Sequence, residues 1–391
     1  MARPANEAEL AQIIRAANAP LSIHGGGTRG FAVDGEPLDT TGLHGIKLYE
    51  PGALTIVVGA GTPLREIDTI LGEKGQRLAF EPMDHRTLMG TEGEPTIGGV
   101  AAANVSGPRR LQVGAARDHM LGVRFVSGTG EVIKNGGRVM KNVTGYDLVK
   151  LMAGSYGTLG VLTEISLKVQ AIPQAEATLV LRGQKMADAI ADLSRAMGTP
   201  FDVSGAAYVG MEVVEDTSLR LIRVEGMAGS VAYRAEQLKS LLGADDILED
   251  EASRELWTRI RDVRDFAPNR PDRDASTDNA IWRISVAPSS APAIHEALAE
   301  GRLTHAMICD WSGGLIWMRT PMAGDAGASV IRDTVSRLGG HATLVRANAD
   351  VRAQVPVFHP QSPALQTISR GLRAKFDPKG ILNTGMMGAL A

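Results

Sequence analysis

Apolar residues recur at helical and strand spacing along the first 170 positions of the chain. After Asn6 they return every three or four residues up to Ala17, which predicts an amphipathic helix, and Asn6 with Glu9 matches a capping box. Short apolar runs predict strands at 21–23, 55–58, 121–127, 131–134 and 161–169, with a hairpin turn at 128–130. Further helices are predicted at 147–152 and after Thr62-Pro63, where Thr62 is the expected N-cap and Gly75 the stop.

The pattern changes near Ala171-Ile172-Pro173, where glycines become sparser. Longer amphipathic helices follow at 186–197 and 231–242, with strand-like runs at 218–224, 280–286 and 314–318. We therefore predict a first domain over 1–172, an α+β domain over 173–345 and a C-terminal segment over 346–391 that returns toward the first domain. The last segment has a helix with one apolar side, formed by Leu365, Ile368, Leu372 and Phe376. The polar stretch 267–279 is either a partner contact or a surface loop.

Two glycine-rich motifs stand out in the first domain, Ser22–Gly30 (SIHGGGTRG) and Thr96–Gly107 (TIGGVAAANVSG). Each reads as a turn in which backbone amides can approach an anion without a Cβ in the way. One such turn is a common feature. Two of them, separated by a strand-and-helix block, predict a cradle for a long diphosphate cofactor.

The first motif also matches G-x-G-x-x-G between Gly25 and Gly30, the pattern of Rossmann folds. That fold requires a helix directly after the motif, whereas residues 31–39 contain a glycine and a proline and lack helical periodicity. The acidic partner expected further on would be Glu50, which lies in a Glu-Pro-Gly turn. We therefore expect a loop between two strands that binds phosphate with its own amides.

Composition narrows the function classes. A net charge of −3 without dense basic runs gives no reason to expect nucleic acid. The single cysteine, Cys309, excludes an intramolecular disulfide and a Cys-ligated iron–sulfur cluster within this chain. The eight histidines are scattered without ligand spacing, so no metal is expected. Because no signal peptide or membrane-length apolar run is recognisable, we expect a cytoplasmic protein.

Four motifs in order resemble the FAD-binding domain of the vanillyl-alcohol oxidase and para-cresol methylhydroxylase (PCMH) flavoproteins: 24–30, 97–107, 141–148 and 154–164. Within that superfamily the chain resembles the family of FAD-binding subunits of bacterial glycolate oxidases. The resemblance extends to 282–285, 310–311, 339–343 and 376–383. It implies an α+β fold, with a two-subdomain PCMH-type FAD-binding domain, an α+β cap domain over the flavin and a C-terminal helical segment.

The resemblance also implies which residues hold FAD. The pyrophosphate would lie on His24, Gly25, Gly26, Gly27, Thr28, Arg29 and Gly30. The second side of the diphosphate and ribityl chain would meet Thr96, Gly98, Gly99, Ala103, Asn104, Ser106 and Gly107, and the adenine end Gly160, Val161 and Leu162, which alternatively form an ordinary buried strand. Gly114, Lys141 and Gly145 are further cofactor candidates. Because His24 precedes the glycines, whereas relatives with flavin attached through this loop place histidine after them, the FAD is expected to be noncovalent.

A dehydrogenase of 2-hydroxy acids needs a cation for the carboxylate and a group that accepts the hydroxyl proton. The candidate cations are Arg109, Arg110 and Arg283, each of which alternatively contacts phosphate or forms a salt bridge. His341 is the candidate base, with a purely structural histidine as the alternative. Lys141 is placed near the flavin, as is Tyr146, which could equally mark a helix start.

The resemblance implies an FAD-binding subunit of a multi-subunit glycolate oxidase, which converts glycolate to glyoxylate. Its partners would be a larger FAD-binding subunit and an iron–sulfur subunit that receives the electrons, and these could attach the chain peripherally to the inner membrane. The chain lacks the H-x-G-D-G-N-x-H segment of catalytic relatives, and Tyr156 replaces a frequent glutamate. These departures favour an electron-relay or structural role. The alternatives are a stand-alone flavoenzyme for another hydroxy acid or alcohol, or a protein that has kept the fold and lost FAD.

Overall fold

A computed structural model describes residues 1–30, 33–138, 145–214, 217–268 and 279–388. The strands before residue 172 are β1 Leu21–His24, β2 Glu36–Asp39, β3 Ile46–Glu50, β4 Thr55–Gly59, β5 Gln76–Arg77, β6 Met120–Val126, β7 Val132–Gly136, β8 Val161–Lys168 and β9 Gln170–Ala171. The helices in the same part are α1 Glu7–Ala16, α2 Leu64–Gly72, α3 Arg86–Met89, α4 Ile97–Ala103, α5 Arg110–Val113, α6 Ala116–His119 and α7 Leu148–Met152. The sequence patterns predicted α1, β1, β4, α2, β6, β7, α7 and β8 to within a few residues, and they did not predict the other elements.

The first glycine motif lies between two strands that pair in parallel, β1 and β2. This confirms the expected loop between strands and excludes the Rossmann arrangement. A second, antiparallel sheet has the order β3-β4-β8-β6-β7. Helices α2, α4 and α7 contribute Ile67, Val100 and Met152 to the core that this sheet shares with them.

Two local predictions in this part are wrong. Helix α2 begins at Leu64 with Pro63 at the N-cap position, and the hydroxyl of Thr62 instead accepts a hydrogen bond from the Gly45 N–H at 2.9 Å. The Thr96–Gly107 motif is not a turn, because it starts with the seven-residue helix α4. Thr96 is its N-cap and accepts a hydrogen bond from the Gly99 N–H, and the alanines that follow favour the helix despite the two glycines.

Beyond residue 172 the chain forms one eight-stranded sheet of order β13-β10-β12-β11-β15-β16-β14-β17. Its strands are β10 Ala175–Arg182, β11 Val203–Val209, β12 Leu219–Gly226, β13 Asp246–Glu249, β14 Asn279–Ser285, β15 Ala306–Asp310, β16 Leu315–Pro321 and β17 His341–Arg346. The helices are α8 Met186–Met197, α9 Met211–Val214, α10 Ala228–Leu242, α11 Asp250–Arg261, α12 Ala291–Glu300, α13 Ala328–Arg337, α14 Ala349–Gln354 and α15 Pro363–Phe376.

Both faces of the eight-stranded sheet are buried. Helices α8, α10, α12 and α13 cover one face, against which Trp282 packs. The other face packs on α11 and on Met83 and Leu88 of the first part of the chain. Since side chains alternate along a strand, Arg283 of β14 lies on this second face, toward the glycine motifs. A domain division at 172 and 345 remains our proposal, supported by the separation of the sheets between β9 and β10.

A buried cluster of charges joins the two parts of the chain. Arg109 donates to both carboxylate oxygens of Glu225 at 2.8 and 2.7 Å, and Arg77 donates to Glu225 at 2.9 Å. Arg223 donates to Glu81 at 3.0 and 2.9 Å. Burial opposes the ionisation of Glu225, but the guanidinium groups of Arg223, Arg109 and Arg77 outweigh it and hold its pKa well below the usual range. Of the roles predicted for Arg109, the structure therefore supports the salt bridge, because its guanidinium group is paired with Glu225.

The C-terminal segment returns to the first strand. The N–H of Leu21 donates to the Ile381 carbonyl at 2.7 Å, and the side chain of Asn383 accepts from the Ile23 N–H at 2.7 Å. The predicted C-terminal helix is present as α15, but none of its residues is buried. Leu365 and Ile368 are 53% and 60% exposed, so only the later half of the expected apolar side is covered.

Candidate functional site

A cleft of about 510 Å³ opens between the first glycine motif, helix α4 and the segment before β8. Many of the predicted cofactor residues line it: His24, Gly25, Gly26, Gly27, Thr28, Arg29, Gly30, Thr96, Gly98, Gly99, Gly160, Val161 and Leu162. Residues far apart in sequence thus share one surface. This shared surface is the candidate site.

The backbone amides of Gly25–Gly30 in the first glycine motif have no hydrogen-bond partner among the described residues. Across the described part of the chain, none of the N–H groups of Gly25–Gly30 donates a hydrogen bond to another residue. Consecutive free amides in a loop with positive φ at Gly27 and Gly30 form a concave donor surface that suits an anion. The residues present therefore fit a phosphate-bearing cofactor at this loop.

The shape of this loop depends on close approach as well as on backbone conformation. A Cβ added at Gly25 would lie 2.4 Å from Oγ1 of Thr96, and one at Gly26 would lie 1.6 Å from the carbonyl oxygen of Glu94. At Gly27 nothing lies within 4 Å of an added Cβ, but φ is +70°, which disfavours other residues. A side chain at Gly25 or Gly26 would therefore displace the loop from α4.

The amides of the second motif are occupied, unlike those of the first. Gly98 donates to the Ala60 carbonyl at 2.7 Å and Gly99 donates to Thr96 Oγ1 at 3.3 Å. A Cβ at Gly98 would lie 2.6 Å from the Ala60 oxygen, so this glycine permits close packing of α4. The second motif thus supplies a wall of the cleft, and the free donors lie in the first.

Arg29 lies over this wall, because its Nη2 atom is 3.0 Å from the Cβ position of Gly99. Burial lowers the pKa of its guanidinium, and no carboxylate of the described chain pairs with it. A buried cation beside free amides adds to the preference of the cleft for an anion.

The remaining predicted cofactor residues lie outside the lining of the cleft. Asn104 accepts from the Arg117 N–H, Ser106 accepts from the Ala116 N–H, and the Gly107 carbonyl accepts from the Trp311 indole. Ala103 ends α4, Gly114 follows α5 with φ +88°, and Gly145 precedes α7 with φ +82°. Lys141 falls outside the described residues. A cofactor role for these residues remains a prediction. Tyr146 is 89% exposed just before α7.

Several residues that line the cleft were not among the predicted site residues. The Nδ2 of Asn383 donates to the Tyr156 carbonyl at 2.7 Å, which ties the C-terminus to the segment before β8. Tyr156 has φ +53° and its ring packs edge-on against Phe358. His85 also lines the cleft, and burial with the positive charge of Arg29 lowers its pKa to about 3. The signal for Asn383 was present in the 376–383 motif, but the sequence did not indicate its partners.

Arg110 and Arg283, the other two candidate cations, meet at one tryptophan. The Cζ of Arg110 lies 4.2 Å from the ring centroid of Trp311, and that of Arg283 lies 5.6 Å from it. Burial lowers the pKa of both groups, and Arg110 lowers that of Arg283 further. Neither forms an ion pair with a carboxylate of the described chain. Two guanidinium groups are therefore brought to one ring without a direct carboxylate partner, although the charge of Asp118 raises the pKa of Arg110 in part.

His341 begins β17 beside this pair. His341 is opposite Ser285 in the β14–β17 ladder, and Ser285 lies two residues after Arg283 on the same face of β14. Although His341 is exposed, the surrounding protein and then the positive charges of Arg283, His359 and Arg110 lower its pKa. The ring is therefore neutral at neutral pH and able to accept a proton. The role of His341 as the base stays a prediction.

Comparison with known proteins agrees with this geometry. Residues 1–136 match the sequence profile of a family described as "FAD binding domain". The fold and the cleft thus define an FAD-binding protein, which confirms the predicted cofactor. The chain belongs to the family of the glycolate oxidase subunit GlcE of Escherichia coli (strain K12), to which it is 35% identical over 95% of its length and 93% of that protein.

Two further similarities are weaker. The chain is 27% identical to the glycolate oxidase subunit GlcD of Bacillus subtilis (strain 168), over 75% of this chain and 68% of that one. The structure of 4-ethylphenol oxidase from Gulosibacter chungangensis superposes with a TM-score of 0.68 at 14% identity, over 98% of this chain and 88% of that one, which shows a shared fold. Within the described ranges, no helix is long and apolar enough to cross a membrane and no cluster of metal-ligating side chains is present.

Proposed function

We propose that the chain is an FAD-dependent oxidoreductase subunit that acts on a small 2-hydroxy acid, with glycolate as the first candidate. The observation that carries this proposal is the pair of partly buried guanidinium groups, Arg110 and Arg283, which form no ion pair with a described carboxylate, in a protein with an FAD-type cleft. Such a pair matches a carboxylate in charge and geometry. The relatives named as glycolate oxidase subunits support the same substrate class.

Noncovalent FAD would be held mainly by the free amides of Gly25–Gly30, which surround the diphosphate, with Arg29 neutralising part of its charge. Gly98 and Gly99 would let the cofactor lie close to α4. When bound, FAD supplies the acceptor for the hydride from the carbon that bears the hydroxyl group.

Around that cofactor, the protein binds and orients the substrate. Arg110 and Arg283 hold the carboxylate, which fixes the position of the adjacent hydroxyl-bearing carbon. His341, neutral because its pKa is lowered, accepts the hydroxyl proton. Loss of one hydride and one proton converts the 2-hydroxy acid into a 2-oxo acid, and glycolate into glyoxylate.

The electrons would leave through partner subunits. The chain holds one cysteine, so it cannot bind a Cys-ligated iron–sulfur cluster by itself. A larger FAD-binding subunit and an iron–sulfur subunit are the proposed partners, in line with the naming of the relatives as subunits.

A mainly structural or electron-relay role is the second candidate, because the ligand segment typical of catalytic relatives is missing. A stand-alone enzyme for aromatic alcohols is disfavoured, since the chain has only four tryptophans and five tyrosines with which to line an aromatic pocket.

The experiment compares wild type with Arg283→Ala and Arg283→Lys. Purified protein is denatured, and the released flavin is counted against protein to establish noncovalent FAD. Glycolate is then added anaerobically, both to the chain alone and to the complex with its partners. Bleaching of the flavin band in the wild-type chain, lost in Arg283→Ala and partly kept in Arg283→Lys, supports catalysis by this subunit. Bleaching only in the complex and unaffected by Arg283→Ala assigns the chemistry to a partner.

A further inference from the structure

Trp311 lies where three separate parts of the chain meet. It follows strand β15, it is buried, and its indole Nε1 donates to the carbonyl of Gly107 in the second glycine motif at 3.0 Å. Arg110 reaches its ring from α5 and Arg283 from β14. The indole is thus fixed at its edge by a hydrogen bond, while its ring contacts two cations.

The backbone at this position is strained. Trp311 has φ +52° and Ser312 has φ +58°, a region that bulky L-residues rarely adopt. The Asp310 carboxylate accepts from the Trp311 N–H at 2.7 Å, which stabilises the unusual conformation. Backbone strain of this kind persists only where the surrounding contacts enforce the conformation, and such places are typically functional sites.

Other Trp–Arg contacts in the protein differ in what the arginine does. Arg223 over Trp257 is paired with Glu81, and Arg332 over Trp282 donates to the Pro356 carbonyl. Within the described residues, Arg110 and Arg283 donate to neither a carboxylate nor a backbone carbonyl. The charge of Arg110 lowers the pKa of Arg283, which shows that the two cations repel each other, and Asp118 offsets this only on the Arg110 side. The electron-rich face of an indole provides an attraction that both cations share.

We propose that Trp311 is a positioning residue that holds Arg110 and Arg283 side by side, so that one small carboxylate is bound by both. This inference rests on the proposed function for its ligand. It adds a source of substrate specificity to that function. Two adjacent cations bind a compact anionic group more tightly than a neutral one, and they occupy the ring of Trp311 on which a neutral aromatic substrate could stack. Trp311 acts through the arginines and has no assigned role in the chemical step.

The binding test uses FAD-loaded protein and oxalate, a small carboxylate with no carbinol hydrogen to lose, as the probe. Trp311→Leu keeps apolar bulk without a ring face, Trp311→Phe restores a ring, and Trp282→Phe is the matched control, since Trp282 also donates its indole N–H to a backbone carbonyl. We expect Trp311→Leu to raise the dissociation constant about 10- to 100-fold, Trp311→Phe to recover most of it, and Trp282→Phe to match wild type. With glycolate, KM is expected to rise more than kcat falls.

A second readout does not depend on the ligand. Phenylglyoxal modifies accessible arginines, and peptide mass mapping follows Arg110, Arg283 and Arg332 separately. Trp311→Leu should make Arg110 and Arg283 react several-fold faster and leave Arg332 unchanged, whereas Trp282→Phe, which keeps a ring for Arg332, should leave all three arginines as in wild type. Unchanged reactivity of both arginines in Trp311→Leu overturns the inference. If wild type responds to neither oxalate nor glycolate, the proposed function is wrong, and the phenylglyoxal result still decides whether Trp311 holds the pair.

Discussion

The buried ion cluster allows a quantitative test of how the two parts of the chain are joined. Glu225→Gln keeps the size of the side chain and removes the charge that faces Arg109, Arg77 and Arg223. Three guanidinium groups would then share Glu81 as their nearest strong counter-charge, since burial raises the pKa of Glu176, the other carboxylate beside Arg223. Breaking a buried ion pair from one side costs about 3–5 kcal/mol, because the remaining charge stays buried.

This cost can be converted into a melting shift. A chain of 391 residues has an unfolding entropy of about 0.8 kcal/mol/K if it melts as one unit, from roughly 2 cal/mol/K per residue. A loss of about 4 kcal/mol then lowers Tm by about 5 °C. The assay is thermal and urea unfolding of FAD-loaded protein at pH 7, followed by far-UV circular dichroism.

The effect should depend on pH in a defined direction. Because the folded pKa of Glu225 is depressed, its stabilisation is complete above the ordinary carboxyl pKa and is lost as the pH falls below it toward the folded value. The difference in stability between wild type and Glu225→Gln should therefore be largest near pH 7 and shrink below about pH 4.

Glu251→Gln is the matched control. Its carboxylate contacts Arg254 at 3.8 Å on an exposed helix surface, where an ion pair contributes about 0–1 kcal/mol. If Glu225→Gln destabilises no more than Glu251→Gln, the cluster does not hold the two parts together and the reasoning fails.

Three further outcomes follow from the same structure. Gly26→Ala should lower the flavin bound per chain by at least about tenfold, because the added Cβ would meet backbone atoms. Gly27→Ala should have a smaller effect, because open space surrounds the added Cβ and only about 1–2 kcal/mol of conformational strain is expected. The flavin released after denaturation, counted per chain, measures both effects. His341→Gln should remove an acidic limb of the pH–rate profile that lies below the ordinary histidine pKa, and a limb above about 6.5 would contradict the lowered pKa. Ile368→Asn should change unfolding free energy by less than about 0.5 kcal/mol, and Leu372→Ala, on the covered side of α15, by more, as urea titration would show.

Local features of the fold were predictable from sequence because their causes are local. The Asn6 cap is an example, since Asn6 accepts from the Glu9 N–H within one turn. The first glycine motif is another, because the lack of helical periodicity after it already excluded a Rossmann unit. The turn predicted for the Thr96 motif is wrong, because Thr96 as N-cap and the alanine run suit a helix despite the two glycines.

The apolar side of α15 shows a different limit. Periodicity indicates that one side of a helix is apolar and does not show how far the neighbouring structure extends along it. Leu372 and Phe376 reach the core of the first sheet, and Leu365 and Ile368 lie beyond its edge.

The candidate site depended on contacts that sequence cannot reveal. Arg109 and Arg110 are neighbours and chemically identical, so composition and spacing treat them alike. In the structure Arg109 pairs with Glu225 and joins the two parts of the chain, while Arg110 turns to Trp311 and stays without a carboxylate partner among the described residues. One turn of chain thus serves both stability and the proposed substrate binding. Because Arg283 reaches the same ring from the eight-stranded sheet, the paired cations depend on the contact between that sheet and the first part of the chain, to which the Arg109 cluster, the apolar packing of Met83 and the Trp311–Gly107 hydrogen bond contribute. We therefore expect the Arg109 cluster to support the proposed substrate site from outside the lining of the cofactor cleft.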